Sequence, residues 1–309
     1  MTAASAPGKV ILFGEHAVVY GRPAIAVPVG QAQVVVTVTD RQASGVRIRS
    51  AATGYDLSLA SAPGDHPLAA IIRATLGELS IPDEPALELI VESELPVGAG
   101  LGSGAAVSVA IVRALSEHLG TPLSPERQSA LTFEVEKLHH GTPSGIDNTV
   151  IAYGQPVLFR RGQPVERLIV GAPFRLLIGD SGVVSATGPA VTAVRQRWQA
   201  DQTRYEALFD EIGQIVEHAA SAIANSAVEL LGPLLDANQA ALIRLGVSHP
   251  RLETLIEAAR QAGAAGAKLS GAGAGGNMIA LVNADTANGV ERALLAAGAH
   301  HVLATEVTP

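Results

Sequence analysis

No cysteine occurs anywhere in the 309 residues, which excludes a disulfide scaffold and thiolate chemistry. Aromatic residues are scarce at 3% and charged ones at 16%, against 48% hydrophobic. The core is therefore expected to be built from Ala, Val, Leu and Ile, and disorder is not expected. No apolar run is long enough to span a bilayer, and no basic segment leads into a long apolar one at the N-terminus. The expectation is a cytoplasmic protein with no membrane partner. Lysine is also rare: Lys9, Lys137 and Lys268 are the three, leaving eighteen of the 21 cations to arginine. The net charge of −8 argues against a nucleic-acid partner, whose binding rests on phosphate neutralisation by Lys and Arg. It does not forbid one bound nucleotide, because a local field can oppose the global one.

The length suggests about two domains. Residues 9–13, 24–29 and 33–39 read as strands, the last rich in Val and Thr. Pro67 to Leu79 has helical spacing, and Leu87 to Val91 reads as a strand running into a glycine loop. Val107, Ala110, Ile111, Ala114 and Leu115 then follow a helical period from Ser103 to Leu119. Ser124-Pro125 opens another helix, with serine as cap and proline at the first position. Near Gly162–Gly171 the pattern breaks before a strand, Phe174 to Ile178. The domain division is placed there, giving residues 1–168 and 169–309. The second part is mostly helical from Pro189 to Gly263. After it come strands at Ala267–Ser270 and Met278–Val282, a helix at Thr286–Ala297 and a strand at His301–Glu306. The class is α/β, in a two-domain α+β arrangement.

Three glycine-bearing stretches carry the chemistry. In the first, Pro96 to Ala106, glycines at 98, 100, 102 and 104 follow a strand and open a helix. Free N–H groups and about half a unit of positive charge at such a helix end form an anion site. It is not a Walker A loop, since no Gly-Lys-Ser/Thr follows. Gly100 to Ala105 matches a loose G-x-G-x-x-A, but the acidic residue a dinucleotide fold needs at the end of the next strand is missing. Glu117 lies near that spacing, inside the helix. In the second, Ser270 to Gly276, a literal G-x-G-x-x-G leads into a strand instead of a helix, which reads as a tight hairpin. In the third, Phe133 to Asn148, Glu134 and Glu136 stand near a helix C-terminus, where the dipole disfavours carboxylates. Glu134 can be offset by Lys137. Glu136 is better explained by a cation such as Mg²⁺, which takes one or two carboxylates plus phosphate oxygens. Asp147 follows in a Gly-Thr-Pro-Ser-Gly loop able to aim it back; a base and a metal ligand are what phosphoryl transfer asks for. Asp147-Asn148 can equally be a capping pair. His139-His140 and His300-His301 are adjacent pairs, which point apart and ligate one metal poorly.

These stretches, together with Pro7-Gly8-Lys9 and Gly14-Glu15-His16-Ala17-Val18-Val19-Tyr20-Gly21 at the front, resemble the GHMP kinase superfamily. The front motif and His140-Gly-Thr-Pro-Ser-Gly-Ile-Asp-Asn148 are similar to its mevalonate-phosphorylating branch. The resemblance spans residues 5 to about 282. It implies an N-terminal domain like the second domain of ribosomal protein S5 and a ferredoxin-like C-terminal domain. It also implies ATP- and Mg²⁺-dependent phosphorylation of the C5 hydroxyl of mevalonate, feeding isoprenoid synthesis. By that resemblance Asp147 accepts the hydroxyl proton and Lys9 stabilises the developing charge. Pro96, Gly98, Ala99, Gly100, Leu101, Gly102, Ser103, Gly104 and Ala105 cradle the ATP phosphates. Glu136 holds Mg²⁺, with Ser103 or a water in the place of the usual second serine. Glu15, His16, Ser185, Thr187, Gly271 and Ala272 line the substrate side. Ala274 stands where the family has glycine. The insertions of longer members are missing, and control by prenyl diphosphates is left open. A homodimer is compatible with the pattern.

Two other readings stay open at this stage. One is a family kinase for another small alcohol: a sugar, phosphomevalonate, or mevalonate at its 3-hydroxyl. The other is a non-catalytic sensor of ATP and a metabolite, which predicts loss of the base or the metal ligand.

Overall fold

A computed structural model describes residues 1–50, 54–95, 100–140, 143–184 and 187–309, the side chains of His139 and His140 excepted. The chain divides into two compact units, each gathered from separate stretches. One comprises Met1–Gly8, Ala32–Pro96 and Gly102–Gly154; the other comprises Lys9–Gln31, Val97–Leu101 and Gln155–Pro309. Lys9–Gln31 and Val97–Leu101 thus fall with the C-terminal residues, where a single cut at 168/169 separates them from it. Strands β1 (Thr2–Phe13) and β2 (Ala24–Asp40) contribute residues to both units. The sequence pattern reads 24–29 and 33–39 as two strands. The structure runs one strand through Gly30 and Gln31, both exposed.

In the first unit, β3 (Val46–Ser50), β4 (Tyr55–Ser58), α1 (Pro67–Glu78) and β5 (Leu87–Ser93) follow in order. The sheet order is β4-β3-β5-β2, with β3 and β5 parallel and the other pairs antiparallel. Val34, Val36 and Val38 on β2 and Leu87, Leu89 and Val91 on β5 are buried, alternating with more exposed residues. This period of two marks a sheet with one covered face. Helices α2 (Ser103–His118), α3 (Pro125–His140) and α4 (Ile146–Tyr153) pack with one another, and α2 and α3 also pack with α1. α2 is the central one, buried over most of its length from Ala105 to Ser116.

In the second unit, β6 (Val157–Phe159) pairs with residues 24–26 of β2 and with β7 (Glu166–Arg167). Next come β8 (Phe174–Asp180) and four helices: α5 (Thr187–Ala200), α6 (Gln202–Ala224), α7 (Leu231–Leu245) and α8 (Pro250–Gln261). The chain finishes with β9 (Gly266–Ser270), β10 (Asn277–Val282), α9 (Ala287–Ala296) and β11 (Val302–Val307). β8, β9, β10 and β11 form an antiparallel sheet in the order β11-β8-β10-β9. A strand–helix–strand–strand–helix–strand path with that order is the ferredoxin-like arrangement. Gly271 to Gly276 form the turn of the β9–β10 hairpin, pairing Ser270 with Asn277. All residues of β9 and β10 are buried. Among the described residues, no helix is long and apolar enough to cross a membrane.

Candidate active site

The candidate residues fall on both units. In the first, Gly102 precedes α2 in the left-handed conformation, φ 73°, and supplies no side-chain cap. The first bond across this end runs from the Ala106 N–H to the Gly102 carbonyl at 2.9 Å. The N–H groups of Ser103, Gly104 and Ala105 therefore have no carbonyl within the helix to donate to, which is the geometry of an anion site. Gly104 is exposed and Ser103 half-buried. Glu136 on α3 is half-buried, and a Cβ built on Gly104 lies 3.6 Å from its Oε1. This carboxylate is thus beside the first turn of α2. Its neighbour Glu134 is exposed and ion-paired with Lys137 at 2.7 Å, as the spacing predicts. Among the described residues no group of three or more His, Asp or Glu could hold a metal on its own. One carboxylate and a nearby serine hydroxyl suit Mg²⁺ that takes its remaining ligands from phosphate and water.

Asp147 requires a correction to the loop expectation. It stands in the first turn of α4, after Gly145 at φ 90°. The capping alternative fails as well, because neither Asp147 nor Asn148 occupies the cap. Asn148 instead anchors the helix, donating from Nδ2 to the Ser129 carbonyl at 3.1 Å and to its hydroxyl at 2.8 Å. Thr149 donates to the Gly145 carbonyl at 2.7 Å. Ile146, Asn148 and Thr149 are buried while Asp147 is half-buried, so a fixed helical turn presents the carboxylate.

In the second unit, Lys9 is buried at 4% exposure. Its backbone N–H donates to the Leu101 carbonyl at 2.9 Å, tying β1 to the residue after Gly100. β1 ends at Gly14, φ 97°, where a Cβ would come within 2.6 Å of Ala24 Cα and the Pro23 carbonyl oxygen. Only glycine fits there. Beyond it, Glu15 and His16 turn inward and are buried. Lys268, from the middle of β9, is wholly buried and ion-paired with Glu15. Its Nζ also donates to the Leu269 carbonyl at 2.5 Å. His16 donates from Nε2 to the Ala272 carbonyl at 2.9 Å, which fixes the tautomer. Burial raises the Glu15 carboxyl, against the pull of Lys268, and lowers the Lys268 ammonium, against the pull of Glu15. Burial also lowers His16, so its ring is neutral at pH 7.

Helix α7 adds two buried amides. Asn238 Oδ1 accepts the Gly14 N–H at 3.4 Å, and Gln239 Oε1 accepts the Leu269 N–H at 2.9 Å. The unit thus gathers Glu15, His16, Gly271 and Ala272 from the sequence-derived set, with Lys9 on the strand leading in. Thr187 opens α5 and is exposed. Pro96, Gly98, Ala99 and Ser185 lie outside the described residues. Sequence reasoning gives no role to Lys268, Ser270, Asn238 or Gln239. The available signal was Lys268 itself, a scarce residue type set inside an otherwise apolar strand.

Comparison with known proteins gives a consistent set of relatives. Residues 67–155 match the family described as GHMP kinases N terminal domain, and residues 219–300 match GHMP kinases C terminal. The mevalonate kinase of Pyrococcus furiosus is 35% identical over 296 residues, covering 90% of this chain and 88% of the relative. That of Aeropyrum pernix is 37% identical over 291 residues, covering 90% and 87%. The crystal structure of L. major mevalonate kinase in complex with R-mevalonate is similar at a TM-score of 0.87 and 28% identity, covering 100% of this chain and 96% of that one.

Proposed function

The chain belongs to the GHMP kinase family, and from that premise we propose that it is an ATP- and Mg²⁺-dependent kinase acting on the C5 hydroxyl of mevalonate, in the cytoplasm. The family's two domains are assigned to residues 1–168 and 169–309. One observation carries the kinase chemistry: the Glu136 carboxylate beside the first turn of α2. It puts an oxygen donor for a divalent cation next to N–H groups suited to phosphate. The choice of mevalonate is supported by relatives named mevalonate kinase over nine-tenths of the chain. The sensor alternative is disfavoured because Asp147 and Glu136 are both present in the sequence.

The turn from Gly100 to Ala105, with Pro96, Gly98 and Ala99 before it, holds the ATP phosphates. Glu136 and the Ser103 hydroxyl would hold Mg²⁺, which when bound would supply charge neutralisation at the phosphate oxygens. Asp147 takes the proton from the C5 hydroxyl. The freed oxygen forms a bond to the γ-phosphorus as the bond from that phosphorus to the bridging oxygen breaks, giving 5-phosphomevalonate and ADP. Lys9 offsets the negative charge gathering on the transferring group, a task for a compact ammonium. His16, Ser185, Thr187, Gly271 and Ala272 serve the substrate side. The test is ATP consumption with mevalonate, phosphomevalonate, galactose and homoserine in parallel, with the product read by phosphorus NMR. Turnover with mevalonate and a phosphate on C5 is expected. Preference for another alcohol, or no turnover with any, overturns the reading.

A further inference from the structure

The residues that join the front motif to the glycine hairpin at 271–276 and the strand before it alternate along the chain. Lys268 pairs with Glu15, the Ser270 hydroxyl bonds the backbone of Ile11, and the Ala272 carbonyl takes the His16 ring. Lys268 and Ser270 share one face of β9, since alternate residues of a strand point the same way. Among the described residues β9 ends its sheet, pairing with β10 alone. α7 takes its free edge, through Asp236 on the Ala267 N–H and Gln239 on the Leu269 N–H, and the Lys268–Ser270 face is spent on the segment from Ile11 to His16.

A buried ion pair is a poor device for stability, because an apolar pair of similar volume often does as well or better. Lys268 and Glu15 are both wholly buried. Such a pair fits a task of placement. Next to Glu15, His16 sits at φ 60° and ψ −47°, and the Ala17 N–H donates to the Glu15 carbonyl across it at 2.6 Å, the form of γ-turn that is rare and strained. Strain of this kind persists only where the surroundings fix it. Here they are Lys268 on Glu15, Ala272 on the His16 ring and Asn238 on Gly14.

We propose that Glu15 and Lys268 are positioning residues for the alcohol substrate: locked to each other, they hold the His16 backbone in its strained turn and so aim its ring at the substrate side. Glu15 then acts through Lys268 and His16 instead of touching the substrate, which departs from the role its motif implies. This rests on the proposed kinase reading.

The test uses the full-length protein, steady-state kinetics for both substrates, and thermal unfolding. Lys268→Met strands one buried carboxylate, and its failure to fold would be uninformative. The deciding variant is therefore Glu15→Met with Lys268→Leu together, which leaves no unpaired charge. The expected result is a melting temperature at or above that of the unaltered protein. The KM for the alcohol rises about tenfold or more while the KM for ATP stays within about twofold. Glu15→Gln, which keeps size and hydrogen bonding, gives a smaller rise of the same kind. Unchanged constants in the double variant, or an equal rise for both substrates, overturn the proposal. Constants are measured with whichever alcohol the unaltered protein accepts. A wrong substrate assignment then appears in that protein, and a wrong positioning role appears only in the variants.

Discussion

Ser270 satisfies both backbone groups of Ile11. Its hydroxyl accepts the Ile11 N–H at 3.0 Å and donates to the Ile11 carbonyl at 2.9 Å. Both residues are buried, so neither backbone group has water to turn to. A single side chain does here what a neighbouring strand normally does, two residues beyond Lys9. Ser270→Ala removes the partner of a buried donor and a buried acceptor at once. The expected cost is about 1–3 kcal/mol of unfolding free energy, read from urea denaturation. A loss within measurement error would mean that β1 finds other partners.

The glycine hairpin at 271–276 was legible because a glycine cluster between two apolar runs leaves few alternatives. The α2 boundary was legible because Ser103 follows alternate glycines and precedes a helical period. The hairpin of Val46–Ser50 and Tyr55–Ser58 carries a weaker signal: its buried positions are only Val46, Ile48 and Ser50. Helix α4 hides behind Gly145 and a run of Ile, Thr, Val and Ile, residues of modest helix propensity. It is held by a tertiary bond from Asn148 to Ser129, which local pattern cannot show. The same holds for Glu15 and Lys268, 253 positions apart. Each is visible as a charged residue beside or within an apolar run. Their pairing depends on how β9 is placed against the front motif, and nothing local encodes that.

Asp147→Asn keeps the shape of the α4 turn and removes the proton acceptor. Loss of a general base typically costs about 10²–10⁴ in rate, so kcat is expected to fall by that order. Binding of an ATP analogue, followed by calorimetry, should change little. Near-normal turnover would remove Asp147 from the role.

Ala274 occupies the hairpin turn at φ 57° and is exposed. Its methyl group gains little burial while the backbone bears the left-handed penalty of about 1–2 kcal/mol. Glycine relieves that penalty but loses about 0.4–1 kcal/mol through its freer unfolded chain. Ala274→Gly should therefore stabilise the protein by a few tenths to about 1 kcal/mol, measured by chemical denaturation at fixed pH. Destabilisation would show that the methyl group packs usefully in this turn.

His16 makes stability depend on pH in a definite direction. Burial lowers its folded-state pKa below the ordinary 6.5, opposed by the bond to Ala272 and assisted by the Arg197 cation. As pH falls through 6.5, the unfolded chain takes up a proton at this ring while the folded protein does not. In that window the unfolded state binds more protons, so stability falls with acidification and is fully present above 6.5. The loss continues until pH reaches the depressed folded value. Glu15, raised by burial, contributes with the opposite sign between its ordinary and folded values, so the His16 contribution must be isolated by difference. His16→Asn suits this purpose, since asparagine, like histidine, is enriched among the residues found at positive φ and does not titrate. Unfolding free energies of the two proteins across pH 5 to 8 should differ by an amount that changes below about 6.5, with the unaltered protein the one losing stability there. Parallel curves would mean that the ring is accessible to protons in the folded state.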